Sequence, residues 1–372
     1  GLYFLDSPTA GLILALIVWA FMSLLAYFQG DSIFLALSGA KKISRDDYPR
    51  LYNIVEEMKI ASGLEKMPEI YIIDDPALNA FATGRDPNRS AVAVTSGLLQ
   101  KLNRDELQGV IGHEMAHVKN RDVLLMAMAG VLLGTIVILA WYASRIMIFG
   151  GMGGGRRSSR SGGGQGAAII AIIGLVLMIL APIAAQFIYF AISRKREYLA
   201  DASSALYTRY PEGLASALEK ISSSSSNVRT ANQATAPMYT VSPFQKKGLS
   251  AENLTSTHPP IGERVRILRA MGGASLMDYE RAYEQTKGKR ILSAASLSAV
   301  GVAAVPMREA RPELALEQKA EKVERTRETS DLMWLLSNYK VINCDCGARL
   351  KVPPGYRGNQ VRCPHCGRIH QV

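Results

Sequence analysis

Three stretches of the chain carry no charged residue: Gly11 to Phe28, Val123 to Tyr142 and Ala167 to Ser193. Each is long enough to cross a hydrocarbon layer of about 30 Å as a helix. The third needs a tilt to fit, and Pro182 predicts a kink inside it. Between these runs, polar and apolar positions follow the spacings of a soluble fold. Leu51, Ile54, Val55 and Met58 repeat with helical period between Asp46 and Gly63, and Gly63 marks the stop. Short apolar pieces, Glu69 to Ile73 and Ala91 to Thr95, predict strands, with Asp86-Pro87-Asn88 as a turn between them. Asn103 with Glu106 three residues on predicts a capped helix start, and that helix runs past His117 and after Asp122 into the second apolar run. Pro259 to Met271 predicts a further helix.

The remaining segments are of other kinds. Gly150 to Gly166, rich in Gly, Ser and Arg, reads as a flexible connection, and a long polar stretch begins at Ser222 to Ser226. Ile291 to Val305 is too short and too weakly apolar to span a bilayer. Arg308 to Thr329 is dense in charge and predicts a solvated helix or linker. The chain opens at Gly1 in apolar sequence without an initiator Met, so further residues are expected upstream.

Chemistry concentrates at two places along the order. In His113-x-x-x-His117 the two imidazoles share one helix face, within reach of one zinc ion. Glu114 stands beside the fourth coordination position, where it can take a proton from a water that zinc has acidified. A catalytic zinc needs a third protein ligand, and Glu197 offers it. Asp201, one helical turn further, is placed to accept a hydrogen bond from a ligand imidazole and fix its tautomer. Taken singly, each motif also fits a helix surface, the carboxylate pair answering Arg194 and Arg196. Topology joins them. The His helix leads into one apolar run and the Glu helix emerges from the next, so two crossings return the chain to the face it left.

These residues carry a family resemblance. The stretch Asp105 to Asp122, with His-Glu-Met-Ala-His at its centre, resembles the zinc helix of the heat-shock membrane protease family HtpX. So do Ser193 to Asp201, Asn79-Ala-Phe-Ala-Thr-Gly84, and Ser256-Thr-His-Pro-Pro followed by Arg264. That family stands with the CAAX prenyl proteases and the mitochondrial OMA protease among gluzincin-type metallopeptidases. The resemblance implies a mainly α fold with a small β-sheet: an integral membrane zincin whose transmembrane hairpin, 123–193, is inserted between the zinc-ligand helices. It implies a metallopeptidase domain over 41–284, after an N-terminal span and connector over 1–40 and before a linker over 285–338. It further implies that His258 donates to the substrate oxyanion, that Arg264 braces the site, and that Asn79, Ala80, Phe81, Ala82 and Thr83 line the cleft beside an edge strand. Such an edge holds extended peptides with little sequence preference. The family carries two N-terminal spans where one is visible here, and this chain extends past the family core.

That extension, 339–372, holds all four cysteines: Cys344-Asp-Cys346-Gly and Cys363-Pro-His-Cys366-Gly. The spacing predicts a four-thiolate zinc ribbon, closed and therefore structural, with His365 or His370 as alternative ligands. Clustered thiolates of this kind favour a reducing compartment.

The net charge of +11 raises nucleic acid as a partner, but the basic residues flank the apolar runs and no aromatic and basic stripe accompanies the ribbon. No nucleic acid is expected. Lys41, Lys42, Arg45, Lys119, Arg121, Arg194, Lys195 and Arg196 lie on the presumed catalytic face, against Arg145, Arg156, Arg157 and Arg160 on the other. That asymmetry predicts a cytoplasmic active site. The family resemblance implies a bacterial inner membrane, and misfolded or damaged membrane proteins or unfolded polypeptides as substrates. A non-catalytic zinc-binding adaptor and a prenyl-protein protease are the rival readings.

Overall fold

The computed structural model describes residues 8–145, 164–224, 257–291, 305–309 and 315–372. Most of the Gly-rich connection, the polar stretch beyond Ser224 and nearly all of the small-residue segment before Val305 lie outside the described residues.

Helix α1 (Pro8–Leu37) extends well past the first apolar run. Its last turns dock on the neighbouring strand: Asp31 accepts a hydrogen bond from Thr83 Oγ1 at 2.7 Å, and Phe34 sets its ring against Phe81 with centroids 4.5 Å apart. After β1 (Lys41–Lys42), helix α2 (Pro49–Ser62) buries Leu51, Ile54, Val55 and Met58 and ends at Gly63, whose φ of 68° is the left-handed cap that glycine adopts without strain.

Strands β2 (Glu69–Ile73), β3 (Ala80–Asp86) and β4 (Arg89–Thr95) join β1 in a sheet of order β1-β2-β4-β3. Here the structure corrects the expectation. The turn at Asp86-Pro87-Asn88 closes a β3–β4 hairpin, with Asn88 N donating to Asp86 Oδ1 at 2.8 Å, while β2 pairs with β4 in parallel. Only Phe81 in Ala80-Phe-Ala-Thr-Gly84 is large and apolar, so the stretch lacks the apolar alternation that marks a strand and β3 stayed hidden.

The sheet buries both faces. Ile70, Ile72, Ala80, Ala82, Val92 and Val94 enter the main core, whereas Ile73, Phe81, Ala91 and Ala93 pack with Phe34 and Leu35 of α1. A short α3 (Ser96–Lys101) leads to α4 (Arg104–Lys119), which opens on the reciprocal Asn103–Glu106 capping box. Helix α4 does not run on into the apolar segment. The chain breaks at Arg121, a non-glycine residue at φ 55°, and restarts as α5 (Asp122–Arg145). After the connection, α6 (Gly164–Thr208) passes through Pro182 and continues unbroken into the segment of Glu197 and Asp201. Among the described residues, two helical segments are long and apolar enough to cross a membrane: Ile13–Leu37 and Asp122–Ser144.

Helix α7 (Pro211–Ser223) lies so close on α4 that a Cβ on Gly109 would sit 2.6 Å from Leu214 N. Helices α8 (Ile261–Arg269) and α9 (Leu276–Lys287) close the core; α9 is held by a Ser275–Asp278 capping box that the sequence reading passed over. The charge-dense segment, expected as a solvated helix or linker, holds α10 (Ala315–Leu336), which is docked on the domain rather than solvated all round. Leu332 enters the main core, Thr329 Oγ1 lies 3.2 Å from the hydroxyl of Tyr48, and Arg50 pairs with Glu321. The last residues form two hairpins, β5 (Lys340–Asn343) with β6 (Arg349–Val352) and β7 (Gln360–Arg362) with β8 (Ile369–Gln371).

Candidate metal centre

Helical spacing puts His113 and His117 on one face of α4, and their Nε2 atoms lie 3.2 Å apart. From α6, Glu197 brings Oε1 to 3.4 Å from His117 Nε2 and Oε2 to 3.7 Å from His113 Nε2. These three donors converge although 80 residues separate His117 from Glu197. Donors about 2.05 Å from one ion at tetrahedral corners lie ~3.3 Å from one another. The observed spacings surround that value. The donor set, two imidazoles and a carboxylate, suits a borderline metal. Glu197 Oε2 adds a second sign: it is buried and accepts no hydrogen bond, although His258 Nδ1 and Arg264 Nη1 stand at 3.1 and 3.2 Å.

Each ring is steered from behind. His113 Nδ1 faces Asp201 Oδ1 at 3.0 Å, and His117 Nδ1 faces Asp122 Oδ2 at 2.7 Å. Asp201 is in turn gripped by Arg264, whose Nε and Nη2 donate to its two oxygens at 2.8 and 2.6 Å. Arg264 and Asp201 are wholly buried. Asp122 is the residue that sequence reasoning missed. Its position five residues after His117 gives no helical signal, and only the break at Arg121 turns it back onto the ring. Arg196, which the rival surface reading set against the carboxylates of its own helix, bonds Asp122.

The charges are mutually stabilised. Burial alone would lower both imidazoles, but Asp201 and then Glu197 raise His113, and Asp122 and then Glu197 raise His117 well above the usual range. Burial would likewise raise the acids, yet the charge of His258 and contacts with His113 and His117 hold Glu197 well below the carboxylate range. Arg264 and then His113 hold Asp201 down. In the metal-free protein, protons therefore compete with a metal for the two rings. Metal uptake near neutrality should release protons, and affinity should climb as pH rises through the elevated imidazole values. Proton release on titrating the ion into weakly buffered protein measures this; uptake without release at pH 7 would contradict it.

Glu114 is buried beside His113. His258 is buried too, with Nδ1 directed at Glu197 rather than at open cleft. The five residues from Asn79 to Thr83 divide. Asn79 N donates to Thr95 Oγ1 at 3.0 Å, and Ala80 and Ala82 face the core that holds α4. Phe81 and Thr83 point the other way, to Phe34 and Asp31 of α1. Strand β3 is an outer strand of its sheet, so one edge of its backbone is unpaired by the sheet.

In the C-terminal hairpins Cys344 Sγ lies 3.4 Å from Cys366 Sγ, and Cys346 Sγ 3.7 Å from Cys363 Sγ. Sulfurs at about 2.3 Å from one tetrahedral ion lie ~3.8 Å apart, far beyond a disulfide. Gly347 and Gly367, at φ 84° and 78°, turn each loop so that its amide meets the carbonyl of Cys344 or Cys363. The backbone amides of Cys366 and then His365 lower the Cys363 thiol to about 6. The converging group is the four sulfurs; His365 and His370 are not part of it. The apolar cluster here, Cys344, Leu350 and Cys363 with a few half-buried neighbours, is too small to hold two hairpins unaided. Cys363→Ser should therefore melt 339–372, read as new protease-sensitive sites confined to that segment, with the helices before it unchanged. A ribbon that stays protected would show that no ion ties it.

Comparison with known proteins agrees with this geometry. The profile described as Peptidase family M48 matches residues 46–272. A Protease HtpX homolog of Dictyoglomus turgidum is 47% identical over 262 residues, 70% of this chain and 82% of that protein. One from Streptococcus uberis is 42% identical over 271 residues, covering 73% and 90%. A crystal structure of S. mikatae Ste24p shows a slight likeness, TM-score 0.44 at 20% identity over 69% of this chain and 58% of that one.

Proposed function

This chain belongs to peptidase family M48 and is a membrane metalloprotease, and from that premise we propose that it is a zinc endoprotease of the bacterial inner membrane. In this reading it cleaves misfolded or unfolded polypeptides from the cytoplasmic face. The observation that carries it is the convergence of His113, His117 and Glu197 from two helices joined by an apolar hairpin. Those three would hold the ion, which would supply the Lewis acidity that activates water near neutral pH. Glu114 accepts a proton at its carboxylate and passes it to the leaving amine nitrogen. His258 donates to the oxygen that gains charge, and Arg264, locked on Asp201, keeps Glu197 and His113 in place. The outer backbone of β3 receives the extended substrate. In the ribbon, Cys344, Cys346, Cys363 and Cys366 would hold a second, structural zinc.

Casein incubated with the full-length protein in lipid should be cut, cutting should stop with a chelator, and zinc should restore it. Cleavage indifferent to chelation would refute the reading.

A further inference from the structure

Asp122 and Arg196 have no part in the reaction just described, yet both sit where the apolar hairpin joins the metal centre. Asp122 is the first residue of α5, and Arg196 lies on α6 just past the third apolar run, next to Glu197. Asp122 is 4% exposed, with Oδ2 on His117 Nδ1 at 2.7 Å and Oδ1 bound by the Arg196 guanidinium. Along an unbroken helix a residue five positions on points roughly 140° away. The left-handed turn at Arg121 is what brings Asp122 back. Such a conformation is costly for a residue with a Cβ, and it persists where surrounding structure demands it. Two independent features, a strained backbone and a part-buried ion pair reaching across the hairpin, thus serve the same contact.

We propose that Arg196, Asp122 and His117 form a positioning relay that ties the spacing of the two hairpin helices at their base to the orientation of a metal ligand. Asp122 fixes the His117 ring with Nε2 toward the ion. Arg196 fixes Asp122 and, through it, the distance between α5 and α6. This rests on the reading of His113, His117 and Glu197 as one metal site.

The test is cobalt(II) titration of the full-length protein in lipid nanodiscs. Binding by imidazole and carboxylate lacks the thiolate charge-transfer absorption of the cysteine cluster, so the two sites are read separately. Affinity is measured at a temperature where each metal-free variant is folded. Asp122→Ala should weaken the imidazole site about 10–100-fold, as loss of a partner to a ligand imidazole does, and leave the thiolate site unchanged. Asp122→Asn keeps an acceptor for Nδ1 and should recover part of that loss. It carries the test alone if the alanine variant does not fold, a several-fold weakening supporting the relay. Arg196→Gln should weaken the site less than Asp122→Ala, and have no further effect in the Asp122→Ala background. Wild-type affinity in the Asp122 variants, or an Arg196→Gln effect that persists without the Asp122 carboxylate, would overturn the relay while the metal site stands. A wild-type protein showing only thiolate absorption would instead remove the metal site itself.

Discussion

Glu114→Gln should lower kcat/KM for an unfolded polypeptide by about 10²–10⁴-fold, the usual contribution of a positioned general base. That corresponds to roughly 3–5 kcal/mol of transition-state stabilisation. The substitution keeps the shape of the side chain and removes its ability to hold a proton. Glu114 is not among the three donors that converge, so the metal content should remain that of the wild type. Both numbers matter: activity lost together with the ion would say that Glu114 maintains the site, and activity kept within tenfold would assign the proton to another group. Zinc per chain, corrected by a variant lacking the ribbon thiols, is measured beside casein turnover.

Arg264→Met should destabilise the folded protein by about 3–5 kcal/mol, because removing one partner leaves buried charge uncompensated. In thermal unfolding of the metal-free protein this appears as a drop of roughly 6–20 °C for a domain of this size. The guanidinium serves three atoms at once: both oxygens of Asp201, and Glu197 Oε2 at 3.2 Å. A lysine carries the charge but not the fork, so Arg264→Lys should recover only a part. The pH dependence has a definite sign. Asp201 and Glu197 are depressed in the folded state, so their contribution is fully present above the unfolded carboxylate value of about 4 and is lost as pH falls through the lower folded values. The gap between wild type and Arg264→Met should accordingly shrink in acid. A gap that stays constant down to pH 3 would mean that Arg264 supports the fold by packing rather than by charge.

Much of the site could be read along the chain because its parts obey local rules. His113 and His117 share a face by helical period, Asp201 stands one turn from Glu197, and Asn103 with Glu106 announces the helix that carries them. Bringing Glu197 to the histidines required only counting crossings. What escaped reading depends on features that no local pattern encodes. Asp122 reaches His117 through a left-handed residue that is an arginine, not a glycine. The direction of Phe81 and Thr83 is set by where the end of α1 lands, which the strand's own alternation cannot say. Strand β3 carries a single large apolar residue, Phe81, and its pairing is decided by β4. Helix α10 hides its docking face because Thr329 and Leu332 are few among many charges, and a mostly polar helix reads as solvated until its partner is seen.

That last helix changes what the C-terminal third of the molecule can be. Because Leu332 plugs the core, Thr329 meets Tyr48, and Lys41 caps the carbonyl of Leu336, the tail is not a tether on which a ribbon swings. Clipping the polypeptide after α9 would unroof α2 and α3 and leave greasy surface where a lid had been. A shortened version of this molecule is therefore a damaged one, and the ribbon travels with the peptidase as a fixed turret rather than a passenger.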